Sequence, residues 1–156
     1  RKISGDQETL MNAIIRRRSI RKYTQDPIPE DLVTQLLEAA MSAPSAQNER
    51  PWHYIVITEK TTLAALPDVS PYAKITANAP LVILVCGDLE REIAQGFWVQ
   101  DCAAATENLL IEVEALHLGA VWLGIYPREA RVEYLRNLLH IPQHIVPFAL
   151  IPIGYP

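Results

Sequence analysis

Residues 81–87, LVILVCG, put no polar side chain on either of their two alternating sets of positions. In a strand successive side chains point to opposite faces, so a half-exposed strand alternates apolar and polar residues. An unbroken apolar run suits a strand covered on both faces. This segment therefore calls for a sheet with other elements packed above and below it. At seven residues it is far too short to span a bilayer, and no run of 18 or more apolar residues occurs anywhere in the sequence.

The remaining segments supply candidates for those layers. WHYIVIT (52–58), AVWLGIY (120–126) and VPFALIPIG (146–154) are rich in β-branched and aromatic residues and are expected to be strands. Pro152 interrupts the last of these, and a proline that cannot donate to a ladder predicts an edge position. Helical spacing of Leu10, Met11, Ile14 and Ile15 predicts a helix over 7–18. A second helix should start at Pro29, Glu30 and Asp31, with proline early and acids in the first turn. It should end before Pro44, because the residue preceding a proline avoids helical backbone. Residues 60–79 should form short helical turns split by PDVSP. Phe97 to Leu118 is expected to be the longest helix. Its apolar residues Val99, Cys102, Ala103, Leu109, Leu110, Val113 and Leu116 recur at intervals of three or four, with Trp98 and Ile111 elsewhere on the circumference. A helix apolar on more than one side belongs in a protein's centre or at a subunit interface. A last helix is expected over 128–139, with Val132, Leu135, Leu138 and Leu139 inward. Helices and strands thus interleave, which places the chain among the α/β or α+β folds. Its 156 residues are expected to form one domain, 1–156.

Composition narrows the function. The formal net charge is −4 and the pI about 5.5, which argues against a general nucleic-acid binder. The N-terminal stretch lacks the apolar core of a secretory signal, and Cys86 and Cys102 both fall in apolar segments, as free buried thiols of a reducing compartment do. A cytoplasmic setting is the expectation. There is no G-x-G-x-x-G after a strand, no P-loop and no G-x-S-x-G elbow. His140 and His144 have Pro142 between them and are not expected to share a helical face as metal ligands. Structural positions are expected for His53 and His117, and a solvated face for Glu107, Glu112 and Glu114.

One feature runs against the acidic balance. RRRSIRKY (16–23) holds five of the chain's 14 basic residues. On a helix, Arg17 and Arg21 would lie four apart on one face; in an extended segment, Arg17, Ser19 and Arg21 would alternate onto one side. Either geometry offers two guanidinium forks and a hydroxyl to one phosphate. A solvated helix end and a nucleic-acid arm would show the same charge run. Farther on, APSAQNERPWHY puts the amide of Asn48 on a loop of small residues leading into a strand. Such a loop lets a flat ligand approach the backbone, but it also suits an ordinary helix-to-strand connection.

Taken together and in order, RRRSIRKY, APSAQNERPWHYIVI, APLVILV, QDCAAATENLL, LGAVWLGIYP and IPIGYP resemble the nitroreductase-like FMN-dependent oxidoreductases over nearly the whole chain. The resemblance implies an α+β fold: a three-layer α/β/α domain with a mostly antiparallel central sheet flanked by helices. It also implies a homodimer with a long central interface helix and FMN at the subunit interface. It assigns Arg17, Arg18, Ser19 and Arg21 to the FMN phosphate and ribityl chain, and Pro44, Ser45, Ala46, Gln47 and Asn48, contributed by the other subunit, to the flavin. Leu123 and Gly124 fall in the stretch whose backbone faces the flavin. Many members have glutamine where this chain has Arg50: an Arg50 that keeps the contact adds a cation near the ring, and one that points to solvent adds none. Members also tend to carry a basic tail beyond the equivalent of Pro156, so either such residues join the phosphate or the N-terminal cluster holds it alone. The implied reaction is ping-pong: NADH or NADPH passes hydride to flavin N5, leaves, and a nitro compound, quinone or similar electrophile takes its place. No protein acid or base is required, because the flavin carries the chemistry. No metal, nucleic-acid or membrane partner is implied. A non-catalytic flavin binder, or a different flavin reaction on the same scaffold, is the alternative.

Overall fold

The computed structural model describes residues 12–156. The first part of the helix expected over 7–18 lies outside them. Residues 12–16 are helical, and the chain leaves the helix before Arg17.

All eight residues of β2 (Leu81–Asp88) are buried, as an apolar run without alternation requires. Leu81, Ile83 and Val85 pack into one core with α1 (Glu30–Met41) and α3 (Trp98–Ala115). Val82, Leu84 and Cys86 pack into a second core on the opposite face, with α2 (Lys60–Ala65), the 3-10 turns that follow it, and α4 (Glu129–Leu139). The strand's period of two thus feeds two hydrophobic layers, and the molecule is a three-layer α/β/α sandwich. Each fully buried aliphatic side chain in β2 contributes roughly 1.5–3 kcal/mol relative to exposure.

Five strands make the sheet. Their order is β1 (Trp52–Ile57), β2, β5 (Ile145–Gly154), β3 (Gly119–Ala120), with β4 (Leu123–Gly124) also on β5, and every pairing is antiparallel. One isolated parallel bridge joins Ser19 to Ala120. Between β2 and β5 the register shifts, with Val85 opposite Ala149 and Cys86 opposite Pro147. Phe148 is the extra residue of this bulge. Its carbonyl accepts hydrogen bonds from Ile125 and Tyr126 (3.2 and 3.1 Å), and its ring stands edge-on to Trp98 and Trp122.

Two expectations need correction, and they have one cause. β5 is not an edge strand: β2 pairs along one side of it and β3 and β4 along the other. The strand expected over 120–126 is instead two short pieces. Gly119 pairs with Gly154, Ala120 with Ile153, Leu123 with Leu150 and Gly124 with Ala149, so both pieces keep one register. The ladder fails opposite Ile151 and Pro152, where the proline has no N–H to give. On the other side Val82 still pairs with Pro152. A proline can therefore sit inside a sheet at the point where one neighbouring ladder is interrupted. The Tyr23 hydroxyl lies 3.4 Å from its carbonyl oxygen.

Candidate functional site

From Arg17 to Thr24 the chain runs extended beside the sheet. Ile20 N–H donates to the Ala120 carbonyl and Thr24 N–H to that of Tyr155, both at 2.8 Å. Two glycines let the segment approach this closely. A Cβ on Gly119 would come within 2.7 Å of Ile20 Cγ2, and one on Gly154 within 2.6 Å of Tyr23 Cβ. With Ile20 packed on the sheet, the extended geometry is the one realised, so Arg17, Ser19 and Arg21 share the alternate positions. Ser19 and Arg21 are exposed and Arg17 half-buried, its Nε 3.7 Å from Glu107 Oε1. Arg18 turns back on its own backbone, donating to the carbonyls of Ile15 and Arg17 (both 2.9 Å). That suits a cation at a helix C-terminus and leaves Arg18 the least available of the four.

Arg21 lines a cavity of about 340 Å³ with Ser70, Tyr72, Trp122, Leu123, Gly124 and Arg131. The structure therefore brings together residues from RRRSIRKY and from WLG, about a hundred positions apart. Gly124 is exposed, and a Cβ there would meet nothing within 4 Å, so the space beside its Cα is open. Arg131, on α4, is a second cation that the sequence reading missed. Its Nη1 donates to the Gly124 carbonyl (2.8 Å) and its guanidinium lies 5.8 Å from the Tyr72 ring centroid. Arg131 lies seven positions after Gly124, and only the β4-to-α4 turn folds it back. Neither charge nor spacing along the chain signals this.

The second candidate segment lies elsewhere. Pro44, Ser45 and Ala46 line a separate cavity with Phe97, Gln100 and Asp101. Arg50 is exposed and lines a third, beside Met41, Glu49 and His53. Within one chain the two halves of the expected site therefore do not share a cavity. The loop itself is tightly held. Gln47, Asn48 and Arg50 all have left-handed backbone (φ 49°, 53° and 44°), which non-glycine residues rarely adopt. Asn48 N–H donates to the Ser45 carbonyl and Glu49 N–H to the Ala46 carbonyl, both at 3.0 Å. Arg50 N–H donates to Ser45 Oγ at 2.9 Å. Gln47 and Asn48 are left exposed.

The two thiols are buried and free, and burial pushes that of Cys86 up to about 12, far from a reactive thiolate. His53 Nε2 lies 2.8 Å from Asp88 Oδ2. Burial raises the Asp88 carboxyl, but hydrogen bonds from His53 and the Glu90 N–H outweigh it and hold the group below its ordinary range. No helix among the described residues is long and apolar enough to cross a membrane.

The sequence profile of the Nitroreductase family matches residues 14–77 and 65–155, which is almost all of the chain. The chain belongs to the nitroreductase family. Among its relatives, a protein of Methanothermobacter thermautotrophicus named as a candidate NADH dehydrogenase/NAD(P)H nitroreductase is 50% identical, over 94% of this chain and 77% of that one. A crystal structure bearing the same name, from Parabacteroides distasonis, superposes with a TM-score of 0.90 at 37% identity, covering 94% of this chain and 86% of that one. A candidate nitroreductase from Desulfovibrio desulfuricans, solved in complex with FMN, gives a TM-score of 0.83 at 33% identity, again over 94% and 86%. As a nitroreductase-family fold, the sandwich is built in the order its sequence predicted, and the antiparallel sheet between two helical layers is the family's.

Proposed function

We propose that this chain is an FMN-dependent NAD(P)H oxidoreductase of the nitroreductase type, acting in the cytoplasm. The observation that carries the reading is the cavity that Arg21 and Arg131 line together with Leu123 and the unobstructed Gly124. Its donor set fits FMN: cations for a phosphate, and glycine backbone for the edge of a flat ring. Arg17, Ser19 and Arg21 are assigned to the phosphate, where each charge-assisted hydrogen bond is worth about 1.5–3 kcal/mol. Leu123 and Gly124 face the ring with backbone groups. Pro44 to Asn48 contribute backbone and the Asn48 amide, and Arg50 adds a cation at the loop's end. Because that loop lines a different cavity of its own chain, it is assigned to the flavin of a second subunit, which makes the working unit a homodimer. FMN held by these residues would supply hydride chemistry between NADH or NADPH and a nitro compound, quinone or related electrophile. The chain's own groups bind, orient and exclude water, and none is required to move a proton.

The test is an absorption spectrum of the protein mixed with FMN, followed by NADPH under nitrogen. A yellow protein that bleaches is expected. A protein that does not retain FMN rejects the reading. Yellow protein that resists bleaching by both pyridine nucleotides points to a flavin binder without this activity. Light scattering of the FMN complex should give a dimer, and a clean monomer would contradict the shared site.

A further inference from the structure

Two carboxyl groups under the 44–50 loop have no task in the flavin reading. Glu49 is 6% exposed and Asp101, in the first turn of α3, is 5% exposed. Each anchors backbone with one oxygen. Asp101 Oδ1 accepts from the Ala46 N–H at 2.9 Å, and Glu49 Oε2 accepts from Ile93 and Ala94 N–H at 2.6 and 3.1 Å. The other oxygen of each, Asp101 Oδ2 and Glu49 Oε1, is buried and has no donor. Asp101 holds the Ala46 N–H of the same turn that carries Glu49, and Glu49 acts on the Asp101 carboxyl both through a side-chain hydrogen bond and through its charge. Two ionised carboxylates so placed would repel, and each would face an acceptor with an acceptor. A single proton removes one charge and supplies the missing donor.

We propose that Glu49 and Asp101 share one proton, and that this carboxyl–carboxylate pair is the positioning device that locks the 44–50 loop in its flavin-facing conformation. The second half of that statement rests on the proposed flavin site. The surroundings favour keeping the proton. Burial, then Glu49, then Glu92 raise the Asp101 carboxyl, against the opposing Ala46 N–H, to about 6. Glu92 comes from the segment after β2, accepts from Gly96 N–H, and acts on Asp101 through its charge. The Cys102 thiol, next along α3, is itself held up by burial and stays neutral. Arg91, the cation on the 89–96 segment, is turned to Asp88 Oδ2 (3.8 Å) and the Arg50 carbonyl (3.3 Å). The pair ties three elements at once: the loop through Ala46, α3 through Asp101, and the 89–96 segment through Ile93 and Ala94. Three left-handed residues need such a constraint, because on a free loop they would relax. Loss of the proton at higher pH sets two charges against each other at the centre of the tie.

The proposal is tested first by carboxyl carbon NMR on the full chain without ligand, from about pH 3 to about pH 9. One of the two groups should titrate near or above pH 6, and Glu49→Gln should return Asp101 toward the ordinary carboxyl range. Both groups titrating below about pH 5 overturns the shared proton. FMN affinity is then measured by flavin fluorescence across the same interval for the wild type, Glu49→Gln and Asp101→Asn. The amides keep the acceptor for backbone N–H and donate permanently to the partner. The phosphate of FMN titrates alike in all three, so only differences between profiles count. Wild-type affinity should fall by about threefold or more relative to both amide variants as pH rises, and parallel profiles overturn the positioning role. A wild type that never binds FMN rejects the flavin reading, and with it the flavin-facing role, while the titration still decides the proton. If a variant fails to fold, the wild-type titration decides alone.

Discussion

The 17–24 segment and the 44–50 loop are held in opposite ways. The first is fixed by its backbone: Ile20 and Thr24 bond to Ala120 and Tyr155, and Gly119 and Gly154 admit the chain. Its side chains are thereby left for a ligand. The second is fixed by side chains: Asp101 and Ser45 take up the N–H groups of Ala46 and Arg50, and Glu49 ties the loop to the N–H groups of Ile93 and Ala94. Its exposed backbone and the amides of Gln47 and Asn48 are left instead. A segment that offers charge is anchored through peptide groups, and one that offers peptide groups is anchored through side chains. The pairing suits a ligand with a charged end and a flat polar end.

The contrast is broken most severely at the cations. Arg17→Ala with Arg21→Ala should weaken FMN binding by roughly 10²–10⁴-fold, from about 3–6 kcal/mol of charge-assisted hydrogen bonding. Circular dichroism should show an unchanged fold, since backbone bonds hold the segment and the Arg17–Glu107 ion pair is long and half-exposed. A double variant that stays yellow would refute the assignment. Next comes the anchor. Gly154→Val would drive a side chain into Tyr23 and Pro80. Overpacking of about 1–3 kcal/mol should lower the melting temperature by about 2–4 °C per kcal/mol and displace the cations with it.

On the loop side the sharper probe is pH. The Asp101 carboxyl, near 3.8 when unfolded, is raised to about 6 in the folded protein, so the folded state binds more protons between those values. Stability is then greatest below about pH 4 on this account and declines as pH rises through 6. The decline is about 3 kcal/mol at most relative to Asp101→Asn. Chemical denaturation of both proteins at several pH values measures it, and equal slopes would remove the effect. The smallest change is expected at Arg18. Arg18→Ala deletes an exposed cap on the Ile15 and Arg17 carbonyls, and should cost about 0.5 kcal/mol or less with FMN affinity nearly unchanged.

Legibility in the sequence follows from the same contrast. β2 and α1 were readable because apolar periodicity and an early proline act locally. Arg17, Ser19 and Arg21 were readable as a charge run, but which of two geometries they adopt was not. Gly119 and Gly154 decide that, from the far end of the chain. Arg131 was hidden among ordinary helix residues, because only tertiary structure brings α4 under Gly124. Nothing in the sequence around Glu49 sets it apart from a solvated acid. Its burial against Asp101 follows from the placement of α3, 52 positions later. Pro152 misled because a missing N–H was taken for a missing neighbour.

That proline has a consequence for how the chain avoids error. The interruption between β3 and β4 leaves two residues of an inner strand uncovered on one side while the sheet assembles. Uncovered strand backbone is a template on which any extended segment, its own or a stranger's, can add. At Pro152 the template has no donor, and Tyr23 lies across the acceptor. This gap in the ladder is thus closed to a strand that arrives by peptide pairing, and the N-terminal segment, bonded to Ala120 on one side of it and Tyr155 on the other, is its tenant.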